Sequence, residues 1–325
     1  MMEINKKNAR IWSMLGMRRV LGMMLEELLK ADEKFVFVTA DVARYFGTEK
    51  YAEEHPEHYI DVGIAEQNMV TVAAGLQKEG MNALAATYST FVTARALDQI
   101  RVSLGYMELP VTLVGVGGGL AEGDLSATHM GLEDIAAIRA IPNITIVQPA
   151  DCVELVKVLE SIRQYNRPIY IRLTGKTNLP RVYTEDYKFE IGKANVLREG
   201  KDKIVIISSG TIVASVMKVA ESFQEDGIDV TVVDMHTIKP LDTSLLDELA
   251  NYDYLITVEE HMSIGGLGSA VAEYYASKKE KPQQLIIGVD DFYPLANDYE
   301  ELLVACGLTP TVIKNRIKEM IQEEN

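Results

Sequence analysis

Apolar side chains at Ile11, Leu15, Leu21, Met24, Leu25 and Leu28 recur at helical spacing, so the stretch 11–30 predicts one long amphipathic helix. The unbroken apolar run FVFVTA (35–40) that follows predicts a strand buried on both faces. The alternation continues with helix 66–79, strand 82–87, helix 90–106, strand 111–116, helix 131–140, strand 144–147, helix 151–164 and strand 168–173. Residues 174–202 interrupt it. They are charged, mixed in pattern and poor in long apolar runs, which marks an interdomain connection. Beyond them, strands at 204–209, 229–234, 253–260 and 284–289 alternate with helices near 211–225, 242–250 and 266–277. Apolar strands separated by amphipathic helices require mostly parallel sheets covered on both faces. The expected fold class is therefore α/β, with two open, mostly parallel-sheet domains at 1–185 and 190–325.

Composition removes several classes of function. The chain has 32 Lys and Arg against 48 Asp and Glu, a net charge of −16 that would repel phosphate-rich surfaces. Neither a nucleic-acid partner nor a membrane partner is expected. No apolar run approaches the roughly 18 residues a membrane span needs, and the polar start MMEINKKNAR has no signal-peptide core. The two cysteines, Cys152 and Cys306, are too few for a disulfide scaffold or a thiolate cluster and fit a reducing, cytoplasmic compartment.

Open parallel sheets bind ligands where loops leave the carboxyl ends of their strands. Four such loops carry candidate chemistry: TADVARYFG (39–47), DVGIAEQN (61–68), ATYSTF (86–91) and GVGGGLAEGDLSATHMG (115–131). In the second, Glu66 falls where a helix begins, a place a carboxylate also occupies for the helix dipole alone. In the fourth, Thr128-His129 ends a glycine-rich stretch; a histidine there is often a structural hydrogen-bonder, and GVGGG lacks the spacing of a dinucleotide fingerprint. GGLGSAV (265–271) lacks the lysine of a phosphate loop and reads as a turn into a helix.

Taken in order, DVGIAEQN, ATYSTF, SATHMGLEDIAAIRAIPNITIVQPAD (126–151) and VEEHMSIGGLGSAVAE (258–273) resemble the thiamine diphosphate-dependent transketolases, through their pyrimidine-binding and C-terminal domains and over nearly the whole chain. The resemblance implies that Glu66 and His129 are catalytic. Glu66 would hydrogen-bond the aminopyrimidine N1′ and promote its imino form; His129 would lie beside the reacting oxygen as proton donor or oxyanion stabiliser. It further implies a cofactor-binding set of Asp41, Ile64, Glu66, Tyr88 and Phe91, with Phe91 stacked on the pyrimidine and Asp41 near the thiazolium. Arg18, Tyr45, Leu125, His129 and Lys176 fall on substrate-binding positions.

The resemblance also implies a division of labour. In the family, thiamine diphosphate is held through Mg²⁺, by an acidic residue after a glycine pair and a later asparagine. No such motif occurs here, and EDGIDV (225–230) has the wrong order. No metal ligand is therefore expected in this chain, and Mg²⁺ is expected on a partner. The chain looks like the C-terminal subunit of a split enzyme, inactive alone, self-associating into the dimeric core of an α2β2 assembly with an N-terminal diphosphate-binding subunit.

Several positions depart from the family pattern. Gly117 stands where a histidine is usual, Leu125 where an aspartate is, Tyr45 where a serine is, and Lys176 where a phosphate-binding arginine is; Arg18 matches another such arginine, with Arg19 beside it. A site built to bond a hydroxyl rejects substrates lacking it, so losing those groups points to a modified sugar instead of ordinary pentose phosphates. The expected reaction is transfer of a ketol unit from a ketose donor to an aldose acceptor, on a sugar or sugar-phosphate substrate. The alternatives are 1-deoxyxylulose-phosphate synthase-like chemistry, suggested by YSTF, DQIR and Arg172, a 2-oxo acid dehydrogenase β subunit, and a binding subunit without chemistry.

Overall fold

In the computed structural model, which describes residues 2–322, the apolar runs become strands whose successive side chains feed different cores. In strand β1 (Phe35–Thr39), Phe35 and Phe37 pack with helices Lys6–Leu15, Met17–Ala31 and Cys152–Ser161; Val36 and Val38 pack on the other face with helix Glu66–Lys78 and residues 92–104. Small residues set how closely that second layer sits: Ala73 and Ala74 of the helix share a core with Ala83 and Ala85 of the neighbouring strand.

The remaining strands are β2 (Tyr59–Asp61), β3 (Asn82–Tyr88), β4 (Thr112–Gly118), β5 (Thr145–Val147), β6 (Ile169–Thr174), β7 (Asn195–Arg198), β8 (Ile204–Ser208), β9 (Thr231–Asp234), β10 (Thr237–Lys239), β11 (Tyr254–Met262) and β12 (Gln283–Val289). They form a seven-stranded sheet, β10-β5-β6-β4-β3-β1-β2, and a five-stranded sheet, β12-β11-β8-β9-β7. Every pairing is parallel except β10 with β5 and β7 with β9. The two-domain, mostly parallel α/β class expected from the pattern is what forms.

The departures have local causes. The helix predicted over 11–30 is two helices broken at Gly16, whose φ of +82° suits glycine and whose Cβ would lie 1.8 Å from the carbonyl oxygen of Lys176. Ile11 and Leu15, counted as core from their spacing, are exposed; Ala9 and Trp12 are the buried residues of the first helix. The predicted helix 90–106 contains two wide π-type turns, Phe91–Arg95 and Arg101–Tyr106. The helix predicted at 131–140 is confined to Asp134–Arg139. Strands β2, β7 and β10, three or four residues each, are too short to show a period, and the helices Ala43–Phe46, Glu49–Glu54, Tyr299–Ala305 and Pro310–Gln322 were also unpredicted.

The connection after β6 is irregular up to β7, but single residues anchor it: Leu179, Tyr183, Tyr187 and Phe189 pack on the first domain's core. There Asp151, Glu154 and Asp234 are buried together, with Tyr187 donating to Glu154 at 2.7 Å and Tyr183 to Asp234 at 2.8 Å. Among the described residues no helix is long and apolar enough to cross a membrane.

Candidate active site

Strands β2, β1, β3, β4 and β6 are consecutive neighbours, so the loops after all five open along one edge of the sheet. Asp61, at the end of β2, ties two of them together. Its Oδ1 accepts backbone N–H bonds from Gly63 and from Asp41, both at 2.9 Å, and Asp41 itself sits at φ +59°. The turn through Gly63 leads into the helix that Glu66 begins.

Glu66 is 2% exposed, and its Oε2 accepts from Arg95 Nη1 at 2.7 Å. The Arg95 guanidinium also lies 4.3 Å over the Phe91 ring. Both belong to the first wide turn after β3, whose i→i+5 bonding widens the helix and brings side chains four apart close to the same face. Arg95 thus joins the carboxylate to the aromatic group. Phe91, Tyr88 and His129 meet edge to face: Tyr88 lies 5.6 Å from Phe91 and 5.4 Å from His129, and Phe91 lies 5.0 Å from His129. His129 Nδ1 is 3.0 Å from the Thr128 hydroxyl, which donates to the Leu125 carbonyl.

A second cluster adjoins the first through Tyr45, whose ring is 4.8 Å from Tyr88. Arg18 stacks 4.0 Å over Tyr45 and donates to Glu122 Oε1 at 3.2 Å, and the Tyr45 hydroxyl donates to the same oxygen. Burial pushes the Glu122 carboxyl up, opposed by the Arg18 charge; burial likewise raises the Tyr88 phenol. Lys176 bonds Asp124 and holds that carboxyl below its usual range. Asp41, Tyr45 and Tyr88 help line a cleft of about 640 Å³.

The fold therefore brings Glu66, Tyr88, Phe91, His129, Tyr45 and Arg18 into one connected group, with Lys176 on its flank. Asp41 lies at the cleft wall and exposed, while Ile64 and Leu125 stand 76% and 42% exposed. Arg18 turns to Tyr45 and Glu122; Arg19 turns to Gly47, where a Cβ would strike its guanidinium. Arg95, Asp61 and Glu122 belong to the site without standing out in the sequence. Arg95 was legible in principle, four residues after Phe91; Glu122 in a glycine-rich loop looks like any solvated acid. The GGLG segment is a turn into helix Leu267–Tyr275, and the anion at that helix end is the chain's own Glu259, which accepts from the backbone N–H groups of Leu267 and Gly268.

A buried carboxylate beside a phenylalanine face and an imidazole is a donor set suited to an aminopyrimidine: an acceptor for a ring nitrogen and a ring to stack on. By fold and site this is a two-domain α/β protein of the cofactor-dependent type, with its cleft at the carboxyl edge of the first sheet. Residues 13–181 match the transketolase pyrimidine-binding domain and 192–313 the transketolase C-terminal domain. The chain belongs to the transketolase family. It is 37% identical over 310 residues to a Methanocaldococcus jannaschii protein named as a transketolase C-terminal section, covering 95% of this chain and 97% of that one. It is 34% identical over 314 residues to an apulose-4-phosphate transketolase subunit of Phocaeicola vulgatus, covering 96% and 99%. Among solved structures, a split-gene transketolase in an inactive β4 tetramer superposes with a TM-score of 0.83 at 34% identity, covering 94% of this chain and 97% of that one.

Proposed function

We propose that this chain is the C-terminal subunit of a two-chain transketolase-like enzyme, moving a ketol unit from a ketose to an aldose and active only with a diphosphate-binding partner. The observation that carries the reading is the buried Glu66 carboxylate, paired with Arg95, beside Phe91, Tyr88 and His129. Bound thiamine diphosphate supplies the nucleophilic carbon that accepts and releases the ketol unit. In this reading Glu66 holds a proton at the pyrimidine ring nitrogen, Phe91 and Ile64 orient the rings, and Asp41 offers negative charge to the thiazolium. His129 exchanges a proton with the substrate oxygen. Arg18 and Lys176 bind an anionic group of the sugar, and Mg²⁺ is held by the partner.

The substrate we infer is a modified sugar or sugar phosphate. The similarity to an apulose-4-phosphate transketolase subunit supports this, as do Tyr45 and Leu125 at positions that are small or acidic elsewhere in the family. Glu122 changes the expected chemistry in one respect, because it places beside Arg18 and Tyr45 a buried carboxylate that Leu125 does not supply. We further infer a dimeric core of this chain within an α2β2 assembly.

The test is mass spectrometry of the products after the chain is mixed with its diphosphate-domain partner, thiamine diphosphate, Mg²⁺, pyruvate and a panel of ketoses and aldoses. Two-carbon transfer between sugars is expected. Consumption of pyruvate without such transfer would favour 1-deoxyxylulose-phosphate synthase-like chemistry and overturn the proposal.

A further inference from the structure

The loop after β4, which carries Glu122 and His129, is held largely by the other domain. Leu120, Met130 and Leu132 are fully buried in the second domain's core with Val258, Val289 and Leu302. Glu260, on β11, is enclosed there too: its Oε1 accepts from the Leu120 N–H at 2.7 Å and its Oε2 from the Tyr299 hydroxyl at 2.6 Å. The carboxylate fills the space beside Gly119, where a Cβ would fall 2.4 Å from Oε1. Asn297 donates its backbone N–H to the Gly123 carbonyl at 3.2 Å, three residues further along the loop from Leu120.

The base of the loop is closed on itself. Gly119 donates to the Gly131 carbonyl at 2.7 Å, and Gly131 to the Gly117 carbonyl at 3.3 Å. A displacement at Leu120 therefore reaches Glu122 two residues on and, across the closed base, His129 two residues before Gly131. A carboxylate withdrawn from water is tolerated only when its bonds are made. Burial pushes the Glu260 carboxyl up, while Tyr299, the Leu120 N–H and the neighbouring Arg172 favour its charged form. Arg172, on β6, also donates to the Glu260 carbonyl at 3.1 Å and pairs with Asp134 at 2.8 Å, so the strand bearing Glu260 is fixed to the first sheet.

We propose that Glu260 is a positioning residue: by bonding Leu120 it sets the height of the loop that carries Glu122 and His129 over the cleft, so the second domain tunes a site built on the first. The proposal rests on the transketolase-like reading for its kinetic consequence and on geometry alone for its structural one.

The test compares Glu260→Ala, Glu260→Gln and Tyr299→Phe in the chain assembled with its partner, and by hydrogen–deuterium exchange in the chain alone. Glutamine keeps an oxygen for the Leu120 N–H; alanine does not. Glu260→Ala is expected to lower kcat/KM at least tenfold with thiamine diphosphate affinity changed less than twofold, and Glu260→Gln to recover to within threefold of wild type. Amides of residues 119–126 should exchange at least tenfold faster in Glu260→Ala, while those of β8 stay unchanged. Equal impairment in the alanine and glutamine variants, or unchanged loop exchange in Glu260→Ala, would overturn the proposal. If Glu260→Ala fails to fold, Tyr299→Phe decides: faster loop exchange supports the proposal and unchanged exchange refutes it. Absence of ketol transfer by the wild-type assembly would count against the functional reading, and the exchange result would still decide the role of Glu260.

Discussion

Replacing Glu66 by glutamine separates chemistry from stability, and the structure fixes how large each effect should be. Glu66 is buried, but its partner Arg95 has a side chain 46% exposed, so the guanidinium regains water when the carboxylate is neutralised. The pair therefore lies nearer the 0.2–1 kcal/mol of exposed ion pairs than the ~3–5 kcal/mol lost on breaking a buried one. Glutamine also keeps an oxygen that can accept from Arg95, which puts the expected cost at about 1 kcal/mol or a fall in Tm of ~2–4 °C. This exceeds what a solvated helix-start carboxylate would give, because Glu66 is enclosed. Turnover should fall far more. An amide cannot share its proton with a ring nitrogen as a carboxyl does, and loss of a general acid–base group lowers rates by about 10²–10⁴. Thermal melts of the chain alone and steady-state kinetics of the assembled enzyme at saturating thiamine diphosphate measure the two effects. Turnover within tenfold of wild type in a variant that assembles normally would refute the role given to Glu66.

Isothermal titration calorimetry of the chain alone with thiamine diphosphate and Mg²⁺ should show no tight binding, and addition of the partner should restore it; tight binding without the partner would contradict the divided site. Glu122→Gln should lower kcat/KM at least tenfold with cofactor affinity unchanged, since it removes the charge that Arg18 meets at 3.2 Å; unchanged kinetics would remove Glu122 from the substrate channel. Asp234 gives a pH prediction. Burial, opposed by the Tyr183 and Glu154 hydrogen bonds, pushes its carboxyl up to about 7. Stability tied to that proton is fully present below about pH 4, the unfolded value, and lost as pH rises through about 7. The stability of Asp234→Asn relative to wild type, read from urea denaturation midpoints, should therefore increase between pH 5 and pH 8; a constant difference would refute a proton held by Asp234.

The alternation of apolar runs and amphipathic helices was enough to read the layers and the parallel sheets, because buried central strands such as FVFVT carry a strong signal. Short edge strands do not: Thr237–Lys239 has three residues and no period. The break at Gly16 was hidden because its cause, the Lys176 carbonyl, lies 160 residues away. At the site, Tyr88, Phe91 and His129 lie against one another, with Glu66 joined to Phe91 through Arg95, because the loops that carry them leave the same edge of the first sheet. Arg95 stands four residues after Phe91, but its partner Glu66 lies 29 residues away, and Glu122 meets Arg18 across 104 residues, so neither pairing leaves a local pattern. The roles of VEEH were also unreadable: Glu259 turns inward to its own helix and Glu260 outward to the other domain, a difference made by the alternation of side chains along β11.

Strand β10 gives the two sequence modules an unequal relation. The segments that match the two family domains meet near residue 190, yet Thr237–Lys239 crosses back to pair with β5, and Lys239 reaches further to the carbonyls of Arg139 and Ile141. A fragment ending at the seam would carry β5 as a bare edge, open to pairing with whatever strand it met. The second module can thus be regarded as carrying the last tile of the first one's sheet. Recombination or gene division that respected only the seam would leave one product incomplete and sticky, so the pair is expected to travel through evolution as one inherited block.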